Sequence, residues 1–181
     1  MQDRFYSFRL SDVFSPPLDS FGQIRYETLN ESSGNIVDVT NDLGMDLSAK
    51  SGWYINLEGN GEKALSSSLT LDNRVVFTTY EPASNDEVCA AAVGTGAVYT
   101  VDVINGDPVV DFDDTSGNDD ELLKSDRSKK LINPGIAATP AVVFPQQGDA
   151  TILIGPETLD EVPIENLKRR TFWQEHLDEN S

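Results

Sequence analysis

The chain has 181 residues, with 31 Asp and Glu against 13 Lys and Arg, a formal net charge of −18, one His and one Cys. A surface this acidic repels phosphate backbones and anionic membranes, which argues against nucleic-acid binding. One Cys builds no internal disulfide framework, no Cys/His cluster has zinc spacing, and a His-dependent nucleophilic site would have to use His176, near the end of the chain.

The apolar runs are short and rich in β-branched and aromatic residues. Phe5-Tyr6-Ser7-Phe8-Arg9-Leu10 mixes apolar and polar positions as a strand does, and Ser15-Pro16-Pro17 closes it. Residues 19–50 are polar and poorly periodic, which predicts a long surface excursion interrupted by one short strand at Asn35–Thr40. Gly52-Trp53-Tyr54-Ile55-Asn56-Leu57 predicts another strand, with Gly59-Asn60-Gly61-Glu62 as the turn after it. The clearest hairpin follows. Ser68–Leu71 alternates, Asp72-Asn73 tolerates the positive φ of a two-residue turn, and Arg74–Tyr80 returns before Glu81-Pro82. Ala97–Ile104 predicts a strand that runs into Asn105-Gly106-Asp107, and Val109–Phe112 a brief resumption. Residues 111–121 then hold six acidic residues, and four basic ones lie between Lys124 and Lys130, which predicts a solvated loop with opposite charge blocks. Thr139–Phe144 and Thr151–Ile154 form a second hairpin around Pro145–Asp149. The tail from Ile164 to Glu179 reads as a short helix or a final strand, with Thr171-Phe172-Trp173 favouring the strand. No long stretch has a 3.6-residue period, so the expectation is an all-β chain.

The two hairpins share a pattern: small residues (Ser66-Ser67-Ser68; Ala137-Ala138-Thr139), an apolar strand, a polar turn and a second apolar strand. Gly96–Gly106 adds a third strand to the first of them. Successions of this kind build blades of a β-propeller, whose crowded inner strand favours small residues, although a β-sandwich with irregular loops has the same signature. A ring needs about four to eight blades. Two fairly complete blades and one partial blade therefore predict a C-terminal arc: 1–50 as partial blade and excursion, 51–112 as a blade, 113–133 as the charged loop, and 134–181 as the last blade and closing tail. An arc would leave blade faces to be covered by other chain.

One ordered series is more particular. It runs through Asp38-Val39-Thr40, Gly52–Leu57, Gly61-Glu62-Lys63, Val76-Phe77-Thr78-Thr79-Tyr80-Glu81-Pro82, Cys89, Gly94-Thr95-Gly96 and Val98–Asp102, and ends in Gly135–Pro140 and Arg170–Trp173. From about residue 35 onward this resembles the C-terminal β-propeller of the PilY/neisserial PilC family of type IV pilus-associated adhesins. The resemblance implies a non-enzymatic segment of a longer exported precursor, placed in the periplasm or on the cell surface with the pilus. It implies support of pilus assembly, control of retraction, and adhesion. Its implied partners are pilin or minor pilin subunits, the rest of its own propeller, and host or other surface ligands. The start of the chain lacks the apolar core of a secretory signal, and no stretch approaches the roughly 18–20 apolar residues of a membrane span.

The family also implies calcium in an EF-hand-like loop of the longer protein. Asp111, Asp113 and Thr115 match the first, third and fifth positions of such a loop. Ser116 stands where it wants Gly, however, and Leu122 where it wants the bidentate Glu. The stretch from Asp111 to Glu121 therefore reads as a solvated acidic loop, and no residue here is assigned a catalytic, cofactor-binding or metal role. Cys89 has two readings, a disulfide to another part of a longer chain or a free, partly buried thiol. Gly94 and Gly96 precede a strand rather than a helix, which argues against phosphate binding. Trp53-Tyr54 reads as blade core rather than as a ligand-stacking pair, and Phe172-Trp173 as core or as a clasp that seals the last blade against the first. His176 reads as exposed and without a role, and Lys168-Arg169-Arg170 as a basic island worth one surface contact. Two other functions compete: a periplasmic scaffold propeller for envelope assembly, which lacks the "FTTYEP…Cys" series, and a quinoprotein dehydrogenase-like fragment. The latter needs a calcium-supported quinone, a catalytic carboxylate and recurrent Trp, and only two Trp are present.

Overall fold

A computed structural model describes residues 2–15, 18, 20–23, 29, 31–83, 93–112, 122–146 and 149–164. Eleven strands carry the fold among them: β1 Arg4–Phe8, β2 Ile36–Asp38, β3 Gly52–Asn56, β4 Lys63–Ala64, β5 Leu69–Leu71, β6 Arg74–Glu81, β7 Thr95–Asp102, β8 Ser128–Lys130, β9 Ala141–Val143, β10 Ala150–Ile154 and β11 Glu157–Ile164. Among the described residues helix is limited to one short α-helix, α1 at Leu10–Phe14, and 3₁₀ turns such as Glu31–Ser33 and Lys124–Arg127. The chain is all-β in character.

Three sheets form. The first has the order β1-β3-β2, with β1 antiparallel and β2 parallel to β3. The second runs β4-β6-β7-β8, with β5 also pairing with β6, and the third runs β11-β10-β9. The strong hairpin is β5–β6. Asp72 and Asn73 take φ of 51° and 57°, the left-handed pair that a tight turn needs if it is to match strand twist. The second hairpin is β9–β10, with Val142 opposite Ile152.

Period-two alternation decides how the sheets stack. On the middle sheet Val75 faces Val101 and Phe77 faces Tyr99 on one side, while Val76 faces Thr100 and Thr78 faces Val98 on the other. The first set joins Trp53, Ile55, Leu57, Val39 and Leu47 in one core, where Phe5 stacks on Phe77 at 3.8 Å between centroids. Val76 and Val98 join Ile152, Ile154, Leu159, Val162 and Ile164 in a second core. The middle sheet is therefore buried on both faces, by the first sheet and by the third. Each fully buried large apolar side chain stabilises this stack by about 1.5–3 kcal/mol.

Several expectations change. Leu10 is not strand; it opens α1, so the first strand stops at Phe8. The 19–50 excursion is not all surface: Val39 and Leu47 are buried in the first core and Met45 packs against it. Val109–Phe112 makes no strand. Only Pro108 bridges Val101, and Val110 and Phe112 pack on the second core instead. The basic block expected in a solvated loop holds a 3₁₀ turn and the edge strand β8, with Asp126 and Arg127 buried. Strands β4, β8 and β11 were not expected. The tail from residue 165, including Thr171-Phe172-Trp173, lies outside the described residues.

Candidate contact face

The outer face of the first sheet carries the side chains that alternation turns away from the core. Trp53 and Ile55 point inward, so Tyr54 points outward; Phe5 packs inward, so Arg4, Tyr6 and Phe8 line up outside it. Tyr6 and Phe8 have parallel rings 5.8 Å apart, and Tyr6 lies 5.4 Å from Tyr54. The Arg4 guanidinium sits over the Tyr54 ring at 4.9 Å. The 3₁₀ turn at Glu31–Ser33 brings Glu31 against this array. Its Oε1 accepts hydrogen bonds from Tyr6 Oη and Arg4 Nη1, each at 2.5 Å. Tyr6, Phe8, Leu29, Glu31, Ser32 and Ile36 line a cavity of about 750 Å³ on this face. Tyr6 and Phe8 remain 37% and 43% exposed.

The electrostatics favour ionised carboxylates here. Hydrogen bonds from Tyr6 and Arg4 hold the Glu31 carboxyl below the ordinary range. Partial burial works against ionisation of Asp38, but the hydroxyl and amide of Thr40 and the Asn56 amide outweigh it and pull its pKa down. Burial, and then the charges of Asp38 and Glu31, push the Tyr54 phenol up, so it stays neutral.

A second charged cluster ties loop to sheet. Arg127 is 2% exposed, and its guanidinium donates to the carbonyls of Thr40 and Asp42 at 2.7 Å each. Burial lowers its pKa, with Asp107, Asp42, Glu58 and Asp38 opposing that shift. Buried Asp126 accepts from the Leu123 and Phe112 amides. A smaller cavity of about 330 Å³ beside this cluster is lined in part by Asn56, Glu58, Tyr99 and Lys124. Close by, buried Glu62 accepts from Thr79 Oγ1 at 2.6 Å and from the hydroxyl of the same Tyr99 at 3.2 Å. Backbone groups satisfy Asp126 and the two terminal nitrogens of Arg127, while the buried Arg127 Nε has no hydrogen-bond partner among the described residues. The composition gave no sign of them, because charged residues at irregular spacing read as solvated.

Of the residues weighed in the sequence, Trp53 lies in the first core with its indole N–H on the Val103 carbonyl at 3.0 Å. Gly94 and Gly96 serve close packing: a Cβ on Gly94 would lie 2.2 Å from the Glu81 carbonyl oxygen. Asp111 adjoins Phe112 at the margin of the second core. Asp113 and Thr115 with the rest of the acidic loop to Glu121, Cys89, Lys168-Arg169-Arg170, Phe172-Trp173 and His176 all lie outside the described residues. Among the described residues no group of three His, Cys, Asp or Glu is arranged to hold a metal ion, and no helix is long and apolar enough to cross a membrane. No protein-family model matches the chain, and no curated protein or solved structure matches it either.

Proposed function

We propose that the chain is a non-enzymatic contact module, a C-terminal arc of a β-propeller associated with type IV pili in the periplasm or at the cell surface. There it supports pilus assembly, tunes retraction and contributes to adhesion through protein–protein contacts. The observation that carries the architectural half is the stack of three sheets in chain order. A propeller blade buries both faces against its neighbours, and the middle sheet does so through Val75 and Phe77 on one side and Val76 and Val98 on the other. The meanders β5-β6-β7-β8 and β9-β10-β11 follow one another as successive blades would. The ordered series from Asp38 to Asp102 supports the pilus half by resemblance. The aromatic outer face of the first sheet is the contact surface of this arc.

Disruption of the gene in its source cell tests the reading. The expected result is fewer surface pili, with the number restored when retraction is blocked as well. Unchanged pilus number, motility and adhesion would overturn it, and an unchanged pilus count with a weakened outer membrane would turn the assignment to an envelope scaffold.

A further inference from the structure

We propose that Asn60 is a site of spontaneous covalent modification: the Asn60-Gly61 linkage deamidates and isomerises in the folded protein, while the same dipeptide at Asn105-Gly106 is protected by its surroundings.

The chain has two Asn-Gly pairs, and both carry the chemistry. The glycine backbone nitrogen gives up its proton to water or hydroxide and attacks the Asn Cγ. The N–Cγ bond forms, the Cγ–Nδ2 bond breaks, and ammonia leaves with the proton. Water then opens the cyclic imide at either carbonyl. The product is Asp or, with the main chain rerouted through the side chain, isoaspartate. Nothing is oxidised or reduced. Glycine favours the step because no Cβ shields its nitrogen. In a folded chain the rate depends on whether the side-chain amide and that nitrogen are free to meet.

At Asn60 they are free. Gly59-Asn60-Gly61-Glu62 turns the chain between β3 and β4, closed by the Glu62 N–H on the Gly59 carbonyl at 3.2 Å, with Gly61 at φ 71°. Asn60 is exposed. Its own N–H donates to Glu81 Oε1 at 2.8 Å, but neither its side-chain amide nor the Gly61 N–H has a hydrogen-bond partner among the described residues. A Cβ on Gly61 would meet nothing nearer than Pro82 at 3.7 Å, so the peptide has room to rotate.

At Asn105 every reacting group is held. Its Nδ2 donates to Asp107 Oδ2, its Oδ1 accepts from the Asp107 N–H at 3.1 Å, and the Gly106 N–H donates to the Asp102 carbonyl at 3.0 Å. Gly106 is buried, and a Cβ there would lie 2.9 Å from Val39. Attack at this pair requires a local opening first.

The product at Asn60 disturbs its surroundings. Isoaspartate lengthens the main chain by a methylene in the turn that leads into β4, which pairs with β6. It also adds a carboxylate beside Glu62 and Glu81, whose side chains would each lie 2.9 Å from a Cβ on Gly59. The neighbouring cation, Lys63, is already paired with Asp3. Like charges at this range repel and loosen the turn.

The test ages the 181-residue chain in mildly alkaline buffer, both folded and in concentrated urea. Both peptides are followed by mass spectrometry, with an isoaspartate-specific methylation assay as a second readout. Urea sets the unfolded rate for each pair. In the folded chain Asn60 is expected to react close to its urea rate. Asn105 is expected to react at least about tenfold more slowly than in urea, as the loss of its hydrogen bonds before attack predicts. Folded Asn60 slowed as much as Asn105, or folded Asn105 reacting as fast as Asn60, would overturn the proposal. The Tm of the native chain should fall in step with isoaspartate. Asn60→Gln, whose attack needs a larger and slower-forming ring, should keep its Tm on ageing. An equal fall in Asn60→Gln would overturn the link between this modification and the turn's stability.

Discussion

Trp53 and Tyr54 are neighbours in sequence and have opposite duties. Strand geometry turns one into the first core and the other onto the outer face. Trp53→Phe empties part of the core and leaves the Val103 carbonyl only the Ser7 hydroxyl at 3.5 Å; the expected cost is about 1–3 kcal/mol, read as a lower urea midpoint with an unchanged m-value. Arg127 acts as a staple, joining the 39–51 segment to the start of β8 through two carbonyls. Arg127→Met should destabilise by about 1–3 kcal/mol, because both acceptors lose a buried partner. Equal or greater stability would mean that the desolvation of the guanidinium outweighs its bonds. Asp38 gives a pH signature. Its folded-state pKa lies below the unfolded value, so the unfolded chain takes up the proton first as the pH falls. The stabilisation is complete above the unfolded value, about 4, and is lost as pH drops through the folded one. The difference in Tm between the native chain and Asp38→Asn should therefore be full at neutral pH and close below about pH 4. At this scale the core aromatic at Trp53 was legible in the sequence. The Arg4–Glu31–Tyr6 network was not, since its members lie 27 and 25 residues apart and only the 3₁₀ turn at Glu31–Ser33 brings them together.

At the scale of elements, local signals and local structure agree best where the chain turns back on itself. Asp72-Asn73 marks its hairpin by residue type, and both residues do adopt positive φ. Asn73→Gly should leave stability unchanged or slightly higher, while Asn73→Val should cost about 1–2 kcal/mol, the strain of a β-branched residue in the left-handed region. Thermal melting of the two variants separates them. Gly52 has a reason that the sequence does not display. It lies between Phe8 of β1 and Ile36 of β2, and a Cβ there would lie 2.2 Å from the Ser7 carbonyl oxygen. Gly52→Ala should therefore be among the most damaging small substitutions, splitting β1 from β3. Strand β11 escaped the sequence pattern for a physical reason. A register shift between Ala150 and Ile152 places Leu159, Val162 and Ile164 inward at spacings of three and then two, so the strict alternation is broken. Strand β8 escaped because it is a three-residue edge strand with the sequence Ser-Lys-Lys. Charged edges of this kind discourage pairing with other chains.

Across the whole molecule, the excess of carboxylates is a steady strain on the stack. Ion pairs such as Arg4–Glu31, Lys63–Asp3 and Lys124–Glu58 relieve it only locally. Salt should raise the Tm between 10 mM and 0.5 M as repulsion is screened within a shrinking Debye length of roughly 30 Å to under 10 Å. Calcium and magnesium at equal concentration should act alike, as screening ions; a shift with calcium alone would point to a specific site. The sequence by itself determined the secondary-structure class, the two hairpins and the acidic character, because turn chemistry, period-two alternation and charge are properties of neighbouring residues. Only the tertiary structure decided that the 39–51 segment belongs to a core, that Arg127 is buried, and that Arg4, Tyr6, Phe8, Tyr54 and Glu31 share one face. Those facts depend on which sheet packs against which, and therefore on contacts between residues far apart in the chain.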